Sequence, residues 1–408
     1  MGYSYKSSRN SSVAGKYSRS GTGQRRSPNR GNRNAGQYID PARFVKAASS
    51  AEAEEYVPMH TFADFSLHNL LQTNLTAKGY ITPSPIQDQA IPVALSGKDI
   101  IGIASTGTGK TAAFALPMLN QLLTVRDSSA LIIAPTRELA QQIEVECQEL
   151  AKGSNLFGAL LIGGSSMGQQ LRALQRRPRI IIGTPGRIKD HLKRGTLKLN
   201  NTNLVVLDEV DRMLDMGFLP DVREILTNLR KEKQSFYFSA TMDSRIRALI
   251  DNFAINPVTI SLKASSASES VHQDVVHYQG STEKMDKLHN LLISEHVTKV
   301  IIFDETQRSV DRLGKELSLR GFQADSIHGG KSQGQRQRAL SRFKKNEVKV
   351  LVATDVAARG IDVADITHVI NYSIPKAFDD YIHRIGRAGR AGQIGHALTF
   401  VPKDSIRN

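Results

Sequence analysis

The chain has 408 residues, 40% hydrophobic and 23% charged, with a formal net charge of +15 and a single cysteine. No apolar run approaches the roughly 20 residues that cross a bilayer, the N-terminus has no apolar signal core, and Lys6 stands where a myristoylation signal requires Ser or Thr. Cys147 alone excludes an intrachain disulfide and a cysteine-rich metal site; as a packed thiol on a helical stretch it fits a reducing, cytoplasmic setting.

Residues 1–50 carry ten Lys/Arg against one Asp, +9 of the total, among Ser, Asn and Gly. This predicts a disordered basic tail drawn to polyanions through counterion release, without sequence preference. After the tail, apolar runs alternate with helical patterns. "KDIIGIAS", "SALIIAP", "FGALLIGG", "RIIIGTP", "LVVLDE" and "SFYFSAT" predict strands of a first domain over 60–261. "SLKASSASES", Ser261 to Ser270, has five serines and predicts a linker over 262–272. "KVIIFDE", "KVLVATD", "THVINYS" and "HALTFV" predict strands of a second domain over 273–408. The βαβα order predicts an α/β protein, with two tandem domains that are each a mostly parallel, doubly wound sheet. The chain stops a few residues after the last strand, so no C-terminal targeting domain is expected.

"ASTGTGKT", Ala104 to Thr111, follows the strand "IIGI" and precedes the helical stretch "TAAFALPMLNQLL". It is a relaxed form of the phosphate-binding loop, with Ala104 at the usual first glycine. Gly107 and Gly109 let backbone N–H groups turn inward around phosphate oxygens, as do those of Ser105, Thr106 and Thr108 in the same loop. Lys110 supplies charge for the β and γ phosphates, and Thr111 a hydroxyl for Mg²⁺. About a hundred residues on, "VVLDEVD" places carboxylates at a strand end. Paired with a phosphate loop, Asp208 is the candidate Mg²⁺ partner through water and Glu209 the candidate base or water-orienting group. That pair alone specifies nucleoside triphosphate hydrolysis or transfer and no more.

Further motifs follow: "GYITPSPIQ", "PTRELA", "GG", "TPGR", "DEVD", "SAT", "HGGKSQGQR", "TDVAARGID" and "HRIGRAGR". With these, residues 60–403 resemble the DEAD-box RNA helicases of helicase superfamily two, in a short, bacterial-type core. The resemblance implies tandem RecA-like domains, ATP and Mg²⁺ as cofactors, and an RNA-stimulated ATPase that locally unwinds short duplexes or remodels RNA–protein complexes. It implies that Gln87 reads the adenine edge, that Phe62 stacks on the base and that Asp362 contacts the ribose. Arg387 and Arg390 are then arginine fingers for the γ-phosphate, worth roughly 10³–10⁵ in rate in such enzymes. Asp211, Ser239, Thr241 and His383 couple the acidic motif to the second domain. RNA contacts fall to Arg137, Gly164, Thr184, Arg187, Arg336, Thr354 and Gly360, residues suited to phosphates and 2′-hydroxyls rather than base edges. A monomer that binds single strands and short duplexes with little sequence preference, and no membrane, is expected.

The sequence departs from the family pattern at Val210, where the family has Ala, and at Ser373 of "NYSIP", where Asp is common; Ala388 for Thr is minor. Two extra methyl groups at Val210 would cost ~1–3 kcal/mol in a tight site unless its neighbours make room. The alternative function is an ATP-dependent RNA clamp or scaffold with little unwinding. A DNA translocase is disfavoured by "PIQ" and "HRIGRAGR", and a nucleotide kinase by the lack of a recognisable acceptor pocket.

Overall fold

A computed structural model describes residues 1–2, 39–48, 56–105, 107–262, 270–358, 363, 365–389 and 394–403. Two parallel sheets organise it. The first holds β1 (Ile100–Ile103), β2 (Ala130–Ile133), β3 (Gly158–Leu161), β4 (Ile180–Gly183), β5 (Leu204–Leu207), β6 (Gln234–Ser239) and β7 (Val258–Ser261). Its order is β3-β4-β2-β5-β6-β1-β7. The second holds β8 (Val271–Tyr278), β9 (Val300–Phe303), β10 (Ala324–Ile327), β11 (Val350–Ala353), β12 (His368–Asn371) and β13 (Gly395–Pro402), in the order β10-β11-β9-β12-β13-β8. We call these halves lobes one and two.

Central strands such as "ALII" and "LVVL" are apolar at every position because helices cover both faces of each sheet. Alternate residues serve opposite cores: Ile100, Ile132 and Val206 pack on one face of the first sheet, and Ile101, Leu131 and Val205 on the other. The sequence-predicted strands all form. The three it missed, β7, β8 and β10, lie at sheet edges, where half-exposed strands such as "ADSI" and "VHQDVVHY" lack a continuous apolar run. β8 starts at Val271, inside the stretch read as linker, and residues 263–269 of that stretch lie outside the described residues.

The expected disordered tail needs a similar correction. Most of it lies outside the described residues, but Ile39 to Lys46 is folded: a short 3₁₀ turn, Pro41–Phe44, packs on lobe two, and Lys46 bridges antiparallel to Gln273 of β8. Two apolar anchors, Ile39 and Phe44, interrupt the polar composition and supply the burial that orders it. Among the described residues no helix is long and apolar enough to cross a membrane.

Val210 opens the helix Val210–Asp215 and is fully buried in the core that includes Leu207, Met213, Ile246 and Leu249. The two methyl groups are thus part of a closed core. Val210→Ala is expected to lower unfolding free energy by about 1–3 kcal/mol in a urea melt, through lost burial and a residual cavity. ATP hydrolysis in that variant should stay within about threefold, because no polar group is touched.

Candidate nucleotide and RNA site

The phosphate loop joins β1 to the helix Lys110–Thr124. Gly107 and Gly109 have φ of 84° and 93°, the left-handed region that glycine adopts without strain. A Cβ on Gly109 would lie 2.5 Å from Gln87 Nε2 and 2.8 Å from Ser84 Oγ. Those two side chains grip the loop: Ser84 Oγ donates to the Thr108 carbonyl (2.7 Å) and Gln87 Nε2 to the Gly109 carbonyl (3.1 Å), while Gln87 Oε1 accepts the Ser84 N–H (2.9 Å). Thr108 Oγ1 closes the turn on the Ser105 carbonyl (2.9 Å), and Thr106 lies outside the described residues. Lys110 Nζ donates to the Ala104 carbonyl at 3.0 Å, and Thr111 follows in the first helical turn.

Phe62 is 4% exposed, edge-on to Tyr80 and Phe65 with ring centroids 5.4 and 5.8 Å apart. In this conformation it is a core anchor of lobe one, with no free face. What sequence reasoning missed is the neighbour of Gln87. Asp88 is fully buried and accepts hydrogen bonds from Tyr56 Oη (2.5 Å), the Met59 N–H (2.9 Å) and the His60 N–H (3.1 Å). Burial raises its carboxyl, but these bonds prevail and hold it below the usual carboxylate range. The segment leading to Phe62 is thereby tied to the helix that carries Gln87.

The acidic motif leaves the end of β5. Glu209 adopts φ 52°, ψ 56°, a strained backbone for a non-glycine residue of the kind found at functional sites. Its Oε2 is buried with no hydrogen-bond partner among the described residues. Burial pushes the Asp208 carboxyl up to about 7 against the pull of Lys110. Two adjacent buried carboxyl groups, one with an oxygen that has no partner among the described residues, suit a divalent cation and an ordered water. No cluster of three or more His, Cys, Asp or Glu is placed to hold a metal among the described residues. Mg²⁺ is ordinarily held by one or two carboxylates together with waters and substrate phosphates.

Asp211 is fastened to the turn that follows β6. Its Oδ2 accepts the N–H groups of Ala240 and Thr241 (both 3.0 Å) and Thr241 Oγ1 (3.3 Å), and its own N–H donates to Ser239 Oγ (3.2 Å). The next residue, Arg212, is almost wholly buried and shares a small cavity with Phe303, Asp355, His383, Arg384 and Arg387 of lobe two. His383 and Arg387 therefore border the acidic motif from across the lobe boundary. Arg390, Asp362 and Gly360 lie outside the described residues. At the Ser373 departure, the Ser373 carbonyl accepts Arg384 Nη1 (2.9 Å), while its Oγ is buried without a partner among the described residues.

A second cavity of about 540 Å³ opens between the lobes. Arg137, Thr184, Arg187 and Arg336 all line it, with Gly329 and Val356 of lobe two. Gly164 lies beneath Arg137: a Cβ there would collide with the guanidinium. Thr354 is buried at the end of β11 and caps the turn carrying Val356. Burial, and then the Arg336 charge, hold the Arg137 pKa below its ordinary value. Crowding cations into a half-buried cavity is unfavourable until an anion enters, and the spread of the arginines suits a polyanion.

Glu138, also missed, holds this cavity together. Its side chain is 1% exposed and its Oε2 lies 2.7 Å from Nη2 of Arg336, itself 8% exposed. Gln333 Nε2 adds bonds to Glu138 Oε1 (3.4 Å) and Gln141 Oε1 (3.1 Å). The signal in the sequence was an acid directly beside Arg137 in "PTRELA", which charge periodicity alone does not separate from a solvated helix face.

Phosphate loop, acidic strand end and basic cavity all sit at carboxyl ends of parallel strands, the acidic motif and the cavity at the lobe boundary. Fold and site thus define a two-lobed P-loop NTPase that meets an anionic polymer. The sequence matches the DEAD/DEAH box helicase family over residues 84–249 and the helicase conserved C-terminal domain over 283–392. It is 44% identical over 342 residues to the DEAD-box ATP-dependent RNA helicase CshA of Bacillus subtilis (strain 168), covering 84% of this chain and 69% of that protein. Among solved structures it resembles S. cerevisiae Dbp5 bound to RNA and ADP BeF3, with a TM-score of 0.73 and 31% identity over 84% of this chain and 90% of that one. It also resembles Mss116p bound to ssRNA and AMP-PNP, with a TM-score of 0.75 and 29% identity over 83% of this chain and 73% of that one. The chain belongs to the DEAD-box family of ATP-dependent RNA helicases.

Removing one member of a buried ion pair strands the other, at about 3–5 kcal/mol when fully paid. Glu138→Ala should therefore raise the RNA concentration giving half-maximal ATPase by tenfold or more. The exchanged pair Glu138→Arg with Arg336→Glu should recover part of that loss. RNA titration of phosphate release reads both, and a change under twofold in the single variant would exclude the latch.

Proposed function

We propose that this chain hydrolyses ATP only when RNA bridges its two lobes, and that the closed form locally unwinds short duplexes or remodels RNA–protein complexes. It works as a monomer in the cytoplasm. The observation that carries the reading is the inter-lobe cavity lined by Arg137, Thr184, Arg187 and Arg336. These groups suit a sugar-phosphate backbone and read no base edges, so sequence preference is weak. Gly164, Thr354 and Gly360 complete the RNA path.

In the nucleotide site the amides of Ser105 to Gly109 and the Lys110 ammonium hold the ATP phosphates, with Gln87 and Phe62 at the base and Asp362 at the ribose. For Gln87 and Phe62 this requires a change of side-chain position on binding, since one grips the loop and the other is packed in the core. Thr111 and Asp208 would hold Mg²⁺, which neutralises charge on the phosphates. Glu209 orients the attacking water and accepts its proton; its buried Oε2, without a partner among the described residues, supports that role. The water oxygen bonds to the γ-phosphorus as the bond to the bridging oxygen breaks, leaving ADP and phosphate. Arg387 and Arg390 stabilise the charge that develops, and Asp211, Ser239, Thr241 and His383 link the acidic motif to lobe two. Loss of the γ-phosphate removes the bridge to the fingers, and the lobes part and release the strand.

Glu209→Gln is expected to lower RNA-stimulated kcat by about 10²–10⁴ while ATP and RNA still bind together. The check is phosphate release with no nucleic acid, with single-stranded RNA and with single-stranded DNA of the same sequence. A rate that RNA does not raise, or that DNA raises equally, contradicts the reading.

A further inference from the structure

The folded segment Ile39–Lys46 precedes lobe one in sequence but is built into lobe two. Its Lys46 N–H donates to the Gln273 carbonyl (3.0 Å) and the Gln273 N–H to the Lys46 carbonyl (2.8 Å), closing the exposed edge of β8. Asp40 Oδ1 accepts the Ala42 N–H (2.9 Å) and fixes the turn that delivers the next two side chains. Arg43 stacks its guanidinium 3.7 Å from the centroid of Phe378, and the fully buried Phe44 packs on Tyr381 with centroids 4.7 Å apart. Tyr381 Oη in turn donates to Gln273 Oε1 at 2.9 Å. Strap, edge strand and helix Phe378–Ile385 thus form one unit around Ile39, Phe44, Tyr381 and Ile385.

That helix has two working stripes. Phe378, Tyr381, Ile382 and Ile385 face the strap core, at spacings of three and four. Asp380, His383 and Arg384, offset by two residues, line the cavity shared with Arg212 beside the acidic motif, together with Arg387 just past the helix end. On that side Arg384 grips Asp355 with two bonds of 2.6 and 2.7 Å. The apolar stripe is secured by the strap, whose stacked and buried aromatic contacts leave the helix little freedom to roll.

We propose that Arg43 and Phe44 are positioning residues for ATP hydrolysis, acting through the helix Phe378–Ile385 on Arg387. The proposal rests on the reading of Arg387 as an arginine finger. A finger must meet the transition-state charge within a fraction of an ångström, so a helix that rolls loses rate before it loses binding.

The experiment is steady-state ATPase of the full-length chain with saturating single-stranded RNA. Phe44→Ala should lower kcat about tenfold and Arg43→Ala about threefold. ATP KM and the RNA half-saturation should stay within twofold, and Phe44→Tyr should stay near the parent rate. In the Arg387→Ala background, Phe44→Ala should cost nothing further, since the group it positions is gone. Arg43→Ala, which removes a stacked surface side chain, guards against a Phe44→Ala chain that fails to fold, with thermal midpoints recorded for each. An unchanged kcat in both strap variants overturns the proposal. So does an equal fractional loss with and without Arg387, which would make the strap a stabilising edge cover alone. If Arg387→Ala itself leaves kcat unchanged, the finger assignment fails first and the proposal falls with it.

Discussion

One buried ion pair, Glu138 with Arg336, holds two half-built sites face to face. Lobe one carries the phosphate loop and the acidic motif; lobe two carries Arg387, His383 and the far wall of the basic cavity. Neither sheet completes either site. This contact between them is polar, and the desolvation of a buried pair offsets much of its Coulomb attraction. An apolar seam of the same size would lock the lobes together. A polar seam near energetic balance leaves the open and closed forms close enough for ligands to choose between them.

The same economy governs the acidic motif. Asp208 and Glu209 are both buried, Glu209 Oε2 has no hydrogen-bond partner among the described residues, and Glu209 is held in a left-handed backbone conformation. Such features lower stability and persist where the surrounding packing over-determines them. Here that packing includes Val210, which closes the core directly beneath the carboxylates, and Asp211, which fastens the "SAT" turn.

Much of this was legible in the sequence, for particular reasons. The apolar central strands announced themselves because both faces are covered, and the motifs stand at their carboxyl ends because the topology puts every working loop there. Arg137, Thr184, Arg187 and Arg336, distant in sequence, line one cavity that no single run of the chain reveals. The edge strands β7, β8 and β10 were missed, since half-exposed strands have no continuous apolar run. Glu138 and Asp88 were missed for a different reason: a charged residue on a helix looks solvated until the partner that buries it is known, and the partner of Glu138 lies in the other lobe. The strap escaped notice because Ile39 and Phe44 are two anchors in an otherwise polar segment.

The central claim is that ATP and RNA together close the lobes across the Glu138–Arg336 seam. It is tested most directly by fluorescence energy transfer between dyes at Val125→Cys on lobe one and Leu319→Cys on lobe two, both exposed positions, in a Cys147→Ser background. Transfer should rise when a nonhydrolysable ATP analogue and single-stranded RNA are added together, change little with either alone, and lose that rise in Glu138→Ala. Equal transfer with and without both ligands would contradict the account.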